Sequence, residues 1–261
     1  MIKFSIITVC LNPGEALPET LKTIEKQNYK NFEVIIKDGG STDGSLKKVP
    51  EDPRFVVISE KDTGIYNAMN RAAEKASGDF LIFMNCGDSF HDESVLSDVA
   101  AKLEGLSDKK LIAYGDTYSL LSDSVASAAP VITEKVCYNG IPCHQSIFYS
   151  KKVFEERGFD ESFRIRADHE HFLYFFFKGG AEFVYLNRVI CNYEGGGFSE
   201  SKKNKKRDKA EHAAIVKKYI PASKRFLYRA RLIVTLQPVR EKLAKSKTFG
   251  PAYEKIRKKL R

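Results

Sequence analysis

The sequence predicts an α/β fold in which helices flank a mostly parallel sheet. Through the first 90 residues, short apolar runs rich in β-branched and aromatic residues alternate with stretches of helical periodicity, and this alternation is typical of right-handed βαβ units. Hydrophobic residues make up 43% of the 261-residue chain, which is enough to build a large core. Positive charge is concentrated near the C-terminus. We therefore predict an α/β domain over 1–199, followed by a basic helical extension over 200–261.

The first half contains four predicted strands and three predicted helices. Each strand is a continuous apolar run, as expected where both faces of a sheet are covered. The strands are residues 4–10, 32–38, 55–59 and 79–85. The helices are residues 15–28, 64–76 and 93–104. In the first helix, Leu17, Leu21 and Ile24 are spaced i, i+4 and i+7, which places them on one apolar face.

The second half has a less regular pattern. The strands predicted here are 111–116, 145–150 and one or two strands within 181–194. The predicted helices are 151–157, 168–180, 208–219 and 222–245. Asp168 lies at or near the first position of its helix, which we expect Gly179 to close.

Charge and cysteine content narrow the class of protein. Residues 200–261 hold 21 Lys/Arg against 5 Asp/Glu, a net charge of +16 in a chain whose total is +9, so the rest of the chain is acidic. The five cysteines are scattered and match no short zinc-ligand spacing, which favours reduced thiols. No apolar run approaches the ~20 residues that span a bilayer, and the first residues lack the pattern of a secretory signal. These features predict a cytoplasmic protein.

Polar residues at the carboxyl ends of the predicted strands indicate where a ligand binds. Asp38 ends a strand and precedes two glycines; such a carboxylate can accept a hydrogen bond from a heterocycle N–H or can form a turn. Asp88 follows the fourth strand and suits either a divalent cation on a diphosphate or a turn. The glycines match neither G-x-G-x-x-G nor G-x-x-x-x-G-K-[ST], which argues against dinucleotide oxidoreductases and P-loop enzymes.

A series of motifs extends through most of the chain. They are SIITVCLN (5–12), EVIIKDGGSTDGS (33–45), EKDTGIYNAMNRA (60–72), DFLIFMNCGD (79–88), CHQSIFYS (143–150) and FRIRADHEHFLYF (163–175). In this order and spacing the series resembles family 2 glycosyltransferases of bacterial polysaccharide synthesis. The resemblance implies the GT-A fold, with a nucleotide-sugar half over about 1–115 and an acceptor half over about 116–199.

The resemblance also implies roles for individual residues. Asp38 matches the aspartate that reads the base, commonly uracil, Asp88 the last carboxylate of a D-x-D type metal motif, and Asp168 the general base. The residues that match the nucleotide-sugar pocket are Thr8, Asn12, Gly39, Asp62, Gly64, Asn70 and Asn85. The implied cofactor is Mn²⁺ or Mg²⁺. The implied reaction is inverting transfer of a hexosyl or N-acetylhexosaminyl group, with UDP-sugar as the expected donor and a hydroxyl of a glycan or lipid-linked acceptor.

The chain departs from the family pattern at two places. Relatives often have two or three aspartates where this chain has Asn85, Cys86, Gly87 and Asp88, so fewer carboxylates are available for a metal. Relatives also often carry tyrosine at the position of Leu11, where it stacks on the base. Because leucine offers only an apolar contact, we expect modest nucleotide affinity.

Asp168 suits the one proton transfer that glycosyl transfer requires. A base must take the proton of the acceptor hydroxyl, whereas a metal-bound diphosphate leaves without being protonated. The alternative role is a helix N-cap, and the two roles can coexist. Glu170 is the alternative base. The other polar residues expected to face the acceptor, the diphosphate or the surface are His144, Gln145, His169 and His171.

The basic extension contains a helix-like stretch with one apolar stripe. The stripe consists of Tyr228, Leu232, Leu236, Val239 and Leu243, and basic residues surround it. Such a helix fits an anionic membrane surface or, alternatively, the surface of its own domain. A peripheral position on the cytoplasmic face of the membrane is therefore expected.

Two other functions compete with glycosyl transfer. A nucleotidyltransferase also uses an α/β sheet and a metal, but residues 12–16 provide no Lys or Arg for a phosphate-binding loop. A nucleic-acid-binding tail requires aromatic residues among the basic ones, and 200–218 contains none. The predicted partners are therefore a nucleotide sugar and a glycan or lipid-linked acceptor, without nucleic acid.

Overall fold

The computed structural model describes residues 1–195, 201 and 203–234, and its elements follow the predicted alternation of strands and helices. In the first half these are β1 (Phe4–Cys10), α1 (Ala16–Glu25), β2 (Phe32–Asp38), β3 (Phe55–Ser59), α2 (Ile65–Ala73), β4 (Phe80–Phe83), β5 (Ser89–Phe90) and α3 (Val95–Leu103). In the second half they are β6 (Leu111–Ser119), β7 (Ser124–Ala126), α4 (Glu134–Asn139), β8 (Ile147–Ser150), α5 (Lys151–Glu156), α6 (Ala167–Tyr174), β9 (Glu182–Tyr193), α7 (Lys205–Tyr219) and α8 (Ala222–Val234).

The described strands form one nine-stranded sheet in the order β3-β2-β1-β4-β8-β6-β9-β5, with β7 paired to β6. β3, β2, β1 and β4 are parallel, whereas β8 runs antiparallel to both of its neighbours. The chain moves from β1 outward to β2 and β3 and then places β4 on the other side of β1. This reversal of strand order is a topological switch point, where open α/β sheets bind ligands.

The parallel strands are apolar along their whole length because both faces of the sheet are covered. On one face, Ile6 packs with residues of α1 and α3 in a core that includes Leu21 and Val99. On the other face, Ile7 belongs to a second core that includes Met69 of α2 and Phe172 of α6. Adjacent residues of one strand therefore enter opposite cores, and this arrangement holds the carboxyl ends of the strands at one edge.

Among the elements that differ from their predicted form are β4, β9 and α6. β4 ends at Phe83, earlier than predicted, so Asn85 lies in the loop that follows it. The segment 181–194 forms a single strand, β9, whose register against β6 shifts near Asp116. α6 ends at Tyr174 and continues as a π-helical turn, Phe175–Gly179; Gly180 rather than Gly179 adopts the left-handed conformation, with φ of 65°, because the extra residues move the end of the segment by one position.

α7 packs on the α/β domain although it follows residue 199. Its Ile215 and Val216 are buried in the same core as α6, and Glu211 accepts hydrogen bonds from the backbone N–H groups of residues 164–166. The predicted boundary between 199 and 200 thus divides residues that share one core.

α8 is described as far as Val234, and the predicted continuation to residue 245, including the apolar positions from Leu236 onward, lies outside the described residues. Within the described part of the chain, no helix combines the length and apolar character needed to cross a bilayer.

Candidate active site

The loops after β1, β2 and β4 meet at the switch point. Cys10 and Asp38, the last residues of β1 and β2, are neighbours across the two strands, and the loop after β4 runs through Asn85 to Asp88. The backbone N–H of Gly39 donates to the Cys10 carbonyl at 2.9 Å. The sheet therefore gathers the residues predicted to contact a nucleotide sugar.

Asp38 anchors the loop that follows β2. It is fully buried, and its carboxylate accepts hydrogen bonds from the backbone N–H groups of Gly40 and Ser41, from the Ser41 hydroxyl and from the Ser59 hydroxyl, the last at 2.6 Å. Burial opposes ionisation, but the bonds from Ser41 and Ser59 outweigh it and hold the pKa of Asp38 below its usual value. Both oxygens hold the loop after β2, and the contact of this carboxylate with the base stays a prediction.

Gly39 leaves space for a different carboxylate. A Cβ atom at position 39 would lie 2.9 Å from Asp62 Oδ2 and 3.5 Å from Leu11 Cδ1. Leu11 is 64% exposed, and Asp62 Oδ1 accepts from the backbone N–H of Gly64 at 3.1 Å. Gly64 has φ of 152°, a conformation that favours glycine. An apolar side chain and a partly exposed carboxylate thus face each other across Gly39.

Asn12 and Thr8 tie the loops of this region together. Asn12 has φ of 49°, a left-handed conformation that asparagine tolerates. Its side-chain oxygen accepts from the Thr42 N–H at 2.8 Å, and its own N–H donates to Ser41 Oγ at 2.7 Å. Thr8 is buried and donates to the Met84 carbonyl at 2.9 Å. Both residues therefore shape the pocket through its backbone.

Asp88 is held in place from two sides. It is 5% exposed; Gln145 Nε2 donates to Oδ2 at 2.7 Å, and the backbone N–H of Glu194 donates to Oδ1 at 3.1 Å. Burial raises the pKa of Asp88 to about 6, and the negative charge of Glu194 adds to this rise. Gln145, predicted to meet the acceptor or the diphosphate, instead orients this carboxylate.

Asp168 of α6 contacts α2, which belongs to the first half of the chain. Arg166 occupies the N-cap position of α6, so Asp168 lies inside the first turn and is not the cap. Tyr66 of α2 brings its hydroxyl to 2.9 Å from Asp168 Oδ1 and 2.7 Å from the Ile165 carbonyl. Burial and the charge of Asp168 raise the pKa of Tyr66 well above its usual value, which keeps the hydroxyl protonated as a donor.

The sequence pattern does not distinguish Tyr66 from a core residue, because Tyr66 lies on the apolar face of its helix. The signal that points to it is its hydroxyl, since a buried tyrosine needs a hydrogen-bond partner, and that partner is Asp168.

Glu170 serves stability. It is fully buried, and its carboxylate binds Arg157 at 2.7 Å, Lys218 Nζ at 2.7 Å and the Tyr219 hydroxyl at 2.6 Å. Two of these partners come from α7. The surroundings of this carboxylate favour a structural role over the alternative role as a base, which stays a prediction.

Of the three histidines in this region, His169 and His171 are buried and His144 is half-buried. His169 and His171 are expected on the acceptor side or at the surface. Both side chains instead point into the core, where they hydrogen-bond the carbonyls of Cys137 and Arg157. They are buried because α6 is short, continues into a π-helical turn and packs against apolar residues. Burial lowers the pKa of each to about 4. His144 stacks on Phe83 with ring centroids 5.1 Å apart, and burial lowers its pKa although the charge of Asp168 opposes this. These imidazoles are therefore neutral at physiological pH.

Asn70 connects α2 to the loop before α6. Its side chain donates to the Phe159 carbonyl and to Glu161, each at 2.9 Å, and accepts from the Phe159 N–H at 2.8 Å. All its polar atoms serve these contacts, and a contact of Asn70 with the nucleotide sugar stays a prediction.

The residues around Asp88 fit a divalent cation. Hard cations prefer carboxylate and amide oxygens, and Asn85 Oδ1 is buried without a donor among the described residues. No group of three or more His, Cys, Asp or Glu side chains in the described part of the chain forms a complete metal site. An incomplete protein site is consistent with a cation that also binds the oxygens of a diphosphate.

The fold matches solved GT-A glycosyltransferases. TarS of Staphylococcus aureus aligns with a TM-score of 0.64 at 18% identity, over 89% of this chain and 43% of TarS, so this chain spans less than half of that protein. The TarS fragment 1–349 with UDP-GlcNAc aligns with a TM-score of 0.63 at 16% identity, over 89% and 72% of the two chains. The mannosyltransferase PcManGT of Pyrobaculum calidifontis, solved with GDP-Man and Mn²⁺, aligns with a TM-score of 0.62 at 16% identity, over 96% and 84%.

These alignments show an α/β glycosyltransferase fold. The model of the glycosyl transferase family 2 matches residues 5–118. The PGL/p-HBAD biosynthesis glycosyltransferase of Mycobacterium bovis is 31% identical over 205 residues, which cover 76% of this chain and 79% of the relative. The chain belongs to glycosyltransferase family 2, and the predicted fold class and enzyme class are confirmed.

Proposed function

We propose that this glycosyltransferase moves a sugar from UDP to a hydroxyl group of a glycan or lipid-linked acceptor, with inversion at the anomeric carbon. The observation that carries the proposal is the half-buried carboxylate of Asp168, which the Tyr66 hydroxyl holds at 2.9 Å. Tyr66 lies on α2, which begins at Ile65, shortly after Asp62, whose carboxylate lies beside Gly39. Donor pocket and base are therefore connected by one short helix.

In this proposal Asp62 reads the base in place of Asp38. Uracil presents an N–H donor at N3, and a carboxylate is a strong acceptor for it. Asp62 Oδ2 lies beside the space that Gly39 leaves open, 3.8 Å from Lys37 Nζ, and its side chain is 19% exposed. The exposed Leu11 offers the flat apolar contact for the ring.

Asp168 takes the proton of the acceptor hydroxyl as that oxygen attacks the sugar. A diphosphate leaves as a stable anion, so the reaction needs one base and no carboxylic acid. Glu170, the other acidic residue of α6, is fully buried. One accessible carboxylate on this helix is consistent with a single displacement, which inverts the anomeric carbon.

Asp88 and Asn85 would hold the divalent cation, Mn²⁺ or Mg²⁺, that accompanies the diphosphate. When bound, the cation neutralises the charge that develops on the leaving group. Gln145 and the Glu194 N–H keep Asp88 oriented, as hydrogen bonds to ligating carboxylates commonly do.

Relatives in polysaccharide and glycolipid biosynthesis support the acceptor class. The described part of the basic extension supports a position at an anionic membrane. α8 carries Phe226 and Leu227, which are 76% and 62% exposed, beside Arg225 and Arg229.

Calorimetry with UDP, CDP, GDP and ADP in the presence of Mn²⁺ tests the proposal. We expect the wild-type protein to bind UDP most tightly and to discriminate against CDP, because N3 of cytosine is an acceptor that a carboxylate repels. Asp62→Asn should reduce the preference for UDP over CDP by about 10- to 100-fold, the scale of one hydrogen bond to a charged group.

The ratio of the UDP and CDP affinities is measured on one protein sample and is insensitive to a general loss of stability. An unchanged ratio in the Asp62→Asn protein would remove Asp62 from base recognition. Absence of UDP binding to the wild-type protein would refute the proposed donor.

A further inference from the structure

The end of β9 lies against the loop that carries Asp88. β5 and β9 pair antiparallel, with Ser89 opposite Asn192 and Phe90 opposite Cys191. Extending this register by two residues places Glu194 opposite Gly87. The hydrogen bond from the Glu194 N–H to Asp88 Oδ1, at 3.1 Å, follows the same alignment.

Gly87 makes room for the Glu194 side chain. Its φ is +95°, a conformation that strongly favours glycine, and a Cβ atom at this position would overlap Glu194 Oε2. The Glu194 carboxylate therefore occupies the volume in which a side chain of residue 87 would begin. The loop from Asn85 to Asp88, which matches the metal motif, thus has the Glu194 carboxylate at the position where residue 87 has no side chain.

Two carboxylates at this point need a positive charge. The Glu194 backbone binds Asp88 directly, and none of the ion pairs among the described residues involves either side chain. Asn85 Oδ1, on the same loop, also has no donor in the described part. Three oxygen-bearing side chains without a cationic partner would repel the diphosphate of a donor, unless a cation lies between them.

We propose that Glu194 supplies the second carboxylate of the divalent-cation site, together with Asp88. The proposal rests on the proposed function only in that the cation accompanies the donor diphosphate. It explains how a loop with Gly87 in place of a carboxylate retains a cation site: the second carboxylate comes from the residue directly after β9, the strand that β5 pairs with.

The test is the affinity for Mn²⁺, measured from the electron paramagnetic resonance signal of free Mn²⁺ with and without UDP. Glu194→Gln keeps the size of an exposed side chain, so the fold should be preserved. We expect its Mn²⁺ affinity to fall at least tenfold, since even residues that only support metal ligands commonly contribute 10- to 100-fold. The matched control is Glu182→Gln, which removes a carboxylate paired with Lys109 at the other end of β9 and should leave Mn²⁺ affinity unchanged.

Equal Mn²⁺ affinity of the wild-type and Glu194→Gln proteins overturns the assignment of Glu194, whatever the nucleotide. A loss in Glu194→Gln that Glu182→Gln does not share supports it, even if calorimetry then shows no preference for UDP. In that case the cation site stands and the proposed donor fails. A wild-type protein that binds no Mn²⁺ under either condition overturns the cation site itself.

Discussion

Asp168 and Glu170 stand two residues apart on α6 and have opposite surroundings. Asp168 is half-buried and bonded to one hydroxyl, whereas Glu170 is enclosed by Arg157, Lys218 and Tyr219. Charge and local pattern are the same for both in the sequence. Arg157 and the packing of α7 against α6 enclose Glu170 and leave Asp168 as the proposed base.

Asp168→Asn is expected to lower turnover by roughly 10²–10⁴-fold, because the amide keeps the size of the side chain but cannot take a proton. UDP affinity should be unchanged, since the base faces the acceptor. The measurements are turnover and UDP calorimetry on the same folded protein. Near-normal turnover would take Asp168 out of the mechanism.

Glu170→Gln is the matched control for that substitution. It removes the buried anion from Arg157 and Lys218, which keep only their longer contacts with Asp160, at 3.6 and 3.7 Å, and breaking an ion pair whose carboxylate is buried lowers the free energy of unfolding. We expect a lower melting temperature with turnover per folded molecule retained. If instead turnover collapsed at full stability, Glu170 would have to act in catalysis.

At the scale of elements, β1, β2 and β3 have the bounds predicted from sequence because continuous apolar runs are determined locally. β5 has two residues and exists through its pairing with β9, about a hundred residues later, so no local pattern predicts it. The same applies to the site. Asp38 accepts a hydrogen bond from Ser59, and the Glu194 carboxylate lies in the space beside Gly87. Neither contact can be predicted from the local sequence.

The contact between α2 and α6 gives a prediction at this scale. Tyr66→Phe removes the hydroxyl that holds Asp168 and leaves the ring in the core. Turnover should fall by about tenfold, the scale of one hydrogen bond to a charged group, while UDP affinity and melting temperature stay close to wild type.

Tyr174→Phe is the control for Tyr66→Phe, because it removes a hydroxyl that donates to Glu156 at 3.1 Å and has no contact with Asp168. Both variants lose one bond between a tyrosine and a carboxylate. The same turnover in the two variants would show that Tyr66 does not position the base.

The whole molecule has two regions of opposite charge. Residues 200–261 carry +16 in a chain of +9, and the exposed Phe226 and Leu227 lie within this basic region. Anionic lipid attracts basic residues by about 1 kcal/mol each near the surface, and exposed apolar side chains add to that attraction. We therefore expect the full-length protein to sediment with anionic liposomes at moderate salt.

A chain that ends at Pro221 tests this expectation. It retains Ile220, which is buried in the core, and removes α8 together with everything that follows it. The shortened protein should remain folded and lose sedimentation with anionic liposomes, whereas neutral liposomes should retain neither form. Equal sedimentation of the two forms with anionic liposomes would argue against a membrane role for the extension.

The contacts that enclose Glu170 also limit which segments of this enzyme can be exchanged with those of its relatives. Two of its three partners, Lys218 and Tyr219, come from α7, beyond the last residue that an alignment of the motifs reaches. A chimera that exchanged acceptor halves between relatives at residue 199 would bury this carboxylate in a foreign scaffold with Arg157 but without Lys218 and Tyr219. Such hybrids should misfold regardless of how well their active sites match, whereas exchanges that carry α7 along with α6 should fold.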